Sequence, residues 1–165
     1  MLRPFLIFCA VLTVASASMP AQATVRIEAA NLQGSRGLQE QTGRAAIRDY
    51  LLSWQALTAA FEQNRVNLLD ADFVGAAKDT LTATIQQQAV LGISTHYQDR
   101  AHDLQVVFYS PEGLSIELID NVEYDVQLLD HGRVKTVQHV SGRYVIVLTP
   151  AEVRWRVRVF QGSPR

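Results

Sequence analysis

The sequence predicts an α+β fold, in which N-terminal helices pack on one face of a curved antiparallel β-sheet. Two observations carry this expectation. Between residues 38 and 64 the apolar side chains recur every three or four positions, the spacing of one helix stripe. From residue 114 to residue 160 the spacing changes to two, with apolar and polar residues alternating through three long segments. Helices followed by a strand meander place both apolar surfaces in one chain, and each is the other's natural cover.

The chain begins Met1-Leu2-Arg3, runs through an apolar stretch from Phe5 to Val14, and turns small and polar at Ala15-Ser16-Ala17 and Ala21-Gln22-Ala23. This is the layout of a secretory signal peptide with cleavage expected after Ala23, since helix-breaking Pro20 precedes that site. The apolar stretch is short for a membrane span. Cys9, the single cysteine, lies within it, so the mature chain would carry none. Export without disulfides suits a periplasmic or secreted bacterial domain built on an ordinary core. Loss of Arg3 would move the formal charge from −1 to −2, and neither sign is segregated, so nucleic acid is not an expected partner. The expected organisation is a signal peptide over 1–23, a linker or short strand over 24–37, and one domain over 38–162.

The first helix, 38–64, places Ile47, Tyr50, Leu51, Trp54, Leu57, Thr58 and Phe61 on one stripe and Arg44, Arg48, Asp49 and Glu62 opposite. Asn67, Asp70 and Asp72 mark a break, with a short helical turn expected over 68–76. A second helix follows over 78–91, with Ala77, Leu81, Ile85 and Ala89 inward and Gly92 as its stop. Residues 93–100 form a short strand and residues 104–110 a firmer one, after which Ser110-Pro111-Glu112-Gly113 turns the chain.

In the strand over 114–129 the even positions Leu114, Ile116, Leu118, Val122, Tyr124, Val126 and Leu128 are apolar, and only Asp120 breaks the row. A three-residue turn at Asp130-His131-Gly132 would pair Leu128 with Val134 and Val122 with Val140. A four-residue loop at Thr149-Pro150-Ala151-Glu152 would pair Leu148 with Val153, Ile146 with Trp155 and Tyr144 with Val157, leaving Arg154, Arg156 and Arg158 on the outer face.

Long helix, short helix, helix, then a bent meander ending in Gly142-Arg143-Tyr144-Val145-Ile146-Val147-Leu148 and Val153-Arg154-Trp155-Arg156-Val157 resembles the nuclear-transport-factor-2-like cone. This SnoaL-like fold is shared with ketosteroid isomerase and polyketide cyclases, and the resemblance spans residues 38–160. It implies a pocket in the cone, with Tyr50, Trp54, Tyr124 and Trp155 as lining residues. Such cones serve enzymes, binding modules and assembly domains, so fold alone names no reaction.

Asp120 is the candidate acid–base residue. A carboxylate among apolar neighbours would have a raised pKa and could act as a general base or neutral donor. The cheaper reading makes Asp120-Asn121 a bend in a long strand, with Asp120 turned to water. His96, Asp99, His102 and Asp103 cluster in sequence, but the spacing matches no metal site, and the odd interval from His96 to Asp99 puts them on opposite faces of a regular strand; a loop at Asp99-Arg100 accounts for them without a metal or other cofactor. No Ser or Cys nucleophile motif and no phosphate loop occur. The arginine row, with Val137, Val145 and Val147 behind it, suggests either a solvated face or a homodimer surface. The expected function is therefore an exported noncatalytic domain that binds a small molecule or an envelope protein; the alternative is an isomerase, dehydratase or cyclase using Asp120.

Overall fold

The computed structural model describes residues 23–34 and 36–164, and the expected signal peptide over 1–23 lies outside them but for Ala23. The stretch read as linker or strand contributes strand β1 (Thr24–Ile27). Helix α1 (Glu40–Gln63) and helix α2 (Gly75–Val90) flank a 3-10 turn at Val66–Leu69. Four long strands follow: β2 (Ile93–Tyr109), β3 (Ile116–Asp130), β4 (Arg133–Pro150) and β5 (Trp155–Pro164). They form one sheet in the order β1-β2-β3-β4-β5, antiparallel throughout except that β1 runs parallel to β2. The sheet is thus mixed rather than wholly antiparallel, because β1 arrives at the β2 edge with α1 still to come.

The helix stripe falls where the periodicity puts it. Ala46, Ile47, Tyr50, Trp54, Leu57, Ala60 and Phe61 are buried against the sheet, and Asn64, with a left-handed φ of 53°, ends the helix by donating its N–H to Ala60 O. From the sheet come Leu104, Ile116, Leu118, Val122, Ile146, Leu148 and Val157, each at most 1 % exposed. Helix and sheet close one core.

Three departures from the sequence reading have local causes. Residues 93–100 and 104–110 are one continuous strand, and Asp99-Arg100 is no loop: two irregularities, between Asp99 and Ala101 and between Val106 and Phe108, let a 17-residue strand bend over the helices. The β3–β4 turn has two residues, not three: His131 and Gly132 both take positive φ, 48° and 75°, the geometry that matches hairpin twist. The shorter turn shifts the pairing by one and an irregularity between Leu128 and Leu129 by one more, so Tyr124 faces Val140 and Val122 faces Gly142, a slip of two that leaves each side chain on its expected face.

The largest change is in β5. Strand β4 continues to Pro150, residues 151–154 make the turn, and Trp155 faces Pro150, while Leu148 pairs with Val157 and Ile146 with Phe160. Gly162 falls opposite Tyr144, where a Cβ would lie 2.6 Å from the ring, so this register uses the one residue without a side chain. Two of the three arginines of the expected outer row are also engaged, while Arg158 is exposed. Arg154 pairs with Asp72 at 2.8 Å, and Arg156 donates to Asp70 O and Phe73 O, fastening the 70–74 loop along the free edge of β5.

Candidate functional site

The bend of β2 creates the site. In a regular strand Asp99 and His102, three apart, would point to opposite faces. The irregularity at Arg100 absorbs one residue, so that Tyr97, Asp99, His102 and Leu104 all face the helices. Across the ladder, β3 brings Asp120 opposite Leu104, and α1 brings Tyr50 and Trp54 from above.

Asp120 is fully buried and inward, not turned to water at a bend. Its Oδ2 accepts two hydrogen bonds, from Tyr50 OH at 2.7 Å and from His102 Nδ1 at 2.7 Å. Its Oδ1 is buried with no hydrogen-bond partner among the described residues. The second ring nitrogen, Nε2, lies 3.8 Å from Asp99 Oδ2, too far for a direct bond. Asp99 is itself held by Trp54 Nε1, which donates to its Oδ1, and the Trp54 ring meets the imidazole edge-on at 5.2 Å. The result is a row, Tyr50–Asp120–His102–Asp99, running from the core to a surface cavity.

That cavity is about 500 Å³ and lies between α1 and β2, with β1 at its side. Trp54, Leu51, Tyr97 and Val25 give it apolar walls, and Asp99, His102, Gln55 and Gln98 give it polar ones. Lys and Arg are absent from its lining among the described residues.

The electrostatics follow from this placement. Burial alone would lower the His102 pKa, but the hydrogen bond to Asp120 and the negative charges of Asp120 and Asp99 outweigh it and raise the value to about 9. His102 is therefore an imidazolium at neutral pH, and Asp120 fixes its orientation through Nδ1–H. Burial pushes the Tyr50 hydroxyl well up, reinforced by Asp120, so it stays a donor. Burial likewise pushes Tyr97 up to about 12.

Of the residues singled out in the sequence, the structure gathers Asp120 and Tyr50 into this row and sets Trp54 against it, bonded to Asp99. Tyr124 lies one layer further along the cone, its hydroxyl 3.1 Å from that of Tyr144 and its ring 5.8 Å from Trp54. Trp155 does not line the cavity: half-buried at the start of β5, it donates its backbone N–H to Asp49 Oδ2 at 2.8 Å, and Phe160 takes the place beside Trp54. His102 is the residue the sequence reading passed over as part of a loop. Its signal was the even row His102-Leu104-Val106, in phase with the inward face of the following strand.

The sequence matches no family model and no curated protein. Solved structures do match in shape. The intermembrane space region of the chloroplast protein ARC6 superposes with a TM-score of 0.59 at 16% identity, over 79% of this chain and 100% of that one. A scytalone dehydratase candidate from Novosphingobium aromaticivorans gives 0.54 at 10% identity, over 77% and 89%. A hexachlorocyclohexane dehydrochlorinase, LinA type 2, gives 0.51 at 10% identity, over 76% and 86%. The fold is the nuclear-transport-factor-2-like cone, as the element order implied.

Proposed function

We propose that the protein is an acid–base catalyst that moves protons on a small neutral molecule, as an elimination or isomerisation requires. The observation that carries this reading is the imidazolium of His102, locked by buried Asp120 and presenting Nε2 to a cavity beside a second carboxylate, Asp99. His102 supplies the acid and Asp99 the base. In an elimination, Asp99 takes a proton from carbon, the C–O bond breaks as the C=C bond forms, and the departing oxygen takes the Nε2 proton and leaves as water. The proton on Asp99 then passes back to Nε2, directly or through water, and both groups return to their starting state. Tyr50 and Asp120 position the ring and touch no substrate. Two of the similar structures bear names of elimination enzymes, which supports the reaction class without identifying a substrate.

The test is 3-hydroxycyclohexanone, whose loss of water yields a conjugated enone visible in the ultraviolet. Wild-type protein should accelerate this loss at least tenfold over buffer, and His102→Gln should return it to the buffer rate. Equal rates with and without protein, or an unchanged rate in His102→Gln, would count against the reading.

A noncatalytic assembly domain is the second reading, favoured by the match to the ARC6 region, a part of a chloroplast protein and not a named enzyme. In that case the outer sheet face, where Val145 and Val147 are half-exposed, is the surface for a second copy or an envelope protein. Light scattering would then give a dimer, and the row at His102 would serve stability alone. Export belongs to both readings and rests on the first 23 residues.

A further inference from the structure

We infer that the gap between His102 and Asp99 is a subsite for a hydroxyl group, so that the ligand of this cavity is a neutral alcohol. The inference deepens the acid–base reading and rests on it for the role of the cavity.

The gap has one donor wall and one acceptor wall. His102 carries its proton on Nε2, because Nδ1 is engaged by Asp120 and the ring is cationic. Asp99 offers Oδ2, because Trp54 Nε1 already occupies Oδ1. At 3.8 Å the two atoms are too distant to satisfy each other, yet close enough for one oxygen atom to sit about 3 Å from both. Only an oxygen that accepts and donates at once meets both walls, and a hydroxyl is the simplest such group. A ketone would accept from His102 but turn lone pairs toward Asp99, and a carboxylate would add charge repulsion to that mismatch. A site built for a hydroxyl discriminates against analogues lacking it, because its own polar atoms are left unpaired.

Two further features point the same way. No Lys or Arg among the described residues lines the cavity, and its two histidines already face carboxylates, His102 those of Asp120 and Asp99 and His96 that of Glu62, so no unmatched cation awaits an anion. Trp54, Leu51 and Val25 supply apolar contact for the hydrocarbon part that carries the hydroxyl.

Cyclohexanol and cyclohexanone share a ring and differ at the oxygen, which makes them the probes. Their binding can be followed by the Trp54 indole N–H resonance, since that group sits on the cavity wall bound to Asp99. Wild type should prefer cyclohexanol about tenfold. Asp99→Asn keeps an oxygen for Trp54 but turns an amide N–H toward the gap, so it should abolish or reverse the preference. Equal affinity for both probes in wild type, no binding of either, or a preference unmoved in Asp99→Asn would overturn the inference. The readout is equilibrium binding, so the two proposals fail separately: a protein that selects cyclohexanol yet dehydrates nothing loses only the catalytic reading. One that dehydrates the hydroxy ketone without selecting cyclohexanol loses only the subsite.

Discussion

His102 decides both the chemistry and part of the stability. Its folded pKa, about 9, lies above the ordinary histidine value of 6.5, so the native state holds the proton more tightly than the unfolded chain. The stabilisation is fully present below about pH 6.5 and is lost as pH rises through about 9. Denaturant midpoints measured from pH 6 to 10 should fall over that window in wild type and stay flat there in His102→Gln. Removing Asp120 acts on the same network: Asp120→Ala leaves a buried imidazolium without its main partner and should cost about 3 to 5 kcal/mol in urea unfolding. Tyr50→Phe removes one of the two hydrogen bonds to Asp120 Oδ2 and should cost about 1 to 2 kcal/mol. The inward row of β3 made Asp120 conspicuous in the sequence, but its partners come from α1 and β2, and no linear pattern joins positions 50, 102 and 120. Side chains that meet only in the folded state leave no spacing to read.

At the level of elements, the irregularity at Arg100 is what turns a strand into a site. Deleting Arg100 removes the absorbed residue and leaves Asp99 and His102 two apart in a regular strand, so the pair should still share a face. An NMR titration of that variant should show a His102 pKa still raised toward 9, and a value near 6.5 would mean that aligning the pair takes more than absorbing one residue. Periodicity shows where strands run but not where one residue is absorbed, which is why 93–100 and 104–110 read as two strands with a loop between. Register at β5 was hidden for a related reason. Alternation is blind to an even slip such as the four residues that bring Val157 opposite Leu148. The irregularity between Val147 and Leu148 adds a fifth, and the resulting contact of Gly162 with the Tyr144 ring is a tertiary one. Gly162→Ala would put a methyl group 2.6 Å from that ring and should cost about 1 to 3 kcal/mol, measured by thermal or urea unfolding. Arg156→Ala, which the sequence alone would rate as neutral, should cost about 1 to 2 kcal/mol, since it frees the carbonyls of Asp70 and Phe73 beside the β5 edge.

For the whole molecule, fold class was legible because two periodicities and their order suffice to choose an α+β fold, while the cone came from the resemblance of the element order to a known family. The parallel β1 was not, since four residues at an edge carry too little pattern to separate strand from linker. Location follows from residues outside the described structure: N-terminal sequencing of protein from a periplasmic or culture fraction should begin at Thr24, whereas protein retaining Met1 in the membrane fraction would indicate a tether. Among the described residues no helix is long and apolar enough to cross a membrane. The central claim is that the proton on His102 is delivered to whatever enters the cavity, and the pH dependence of kcat/KM for dehydration of 3-hydroxycyclohexanone tests it most directly. A general acid works only while protonated, so the account predicts a high-pH limb that falls through about 9, with the His102→Gln variant at the buffer rate and lacking that limb. A rate that climbs through the same range in wild type, or a falling limb that survives in His102→Gln, would contradict it.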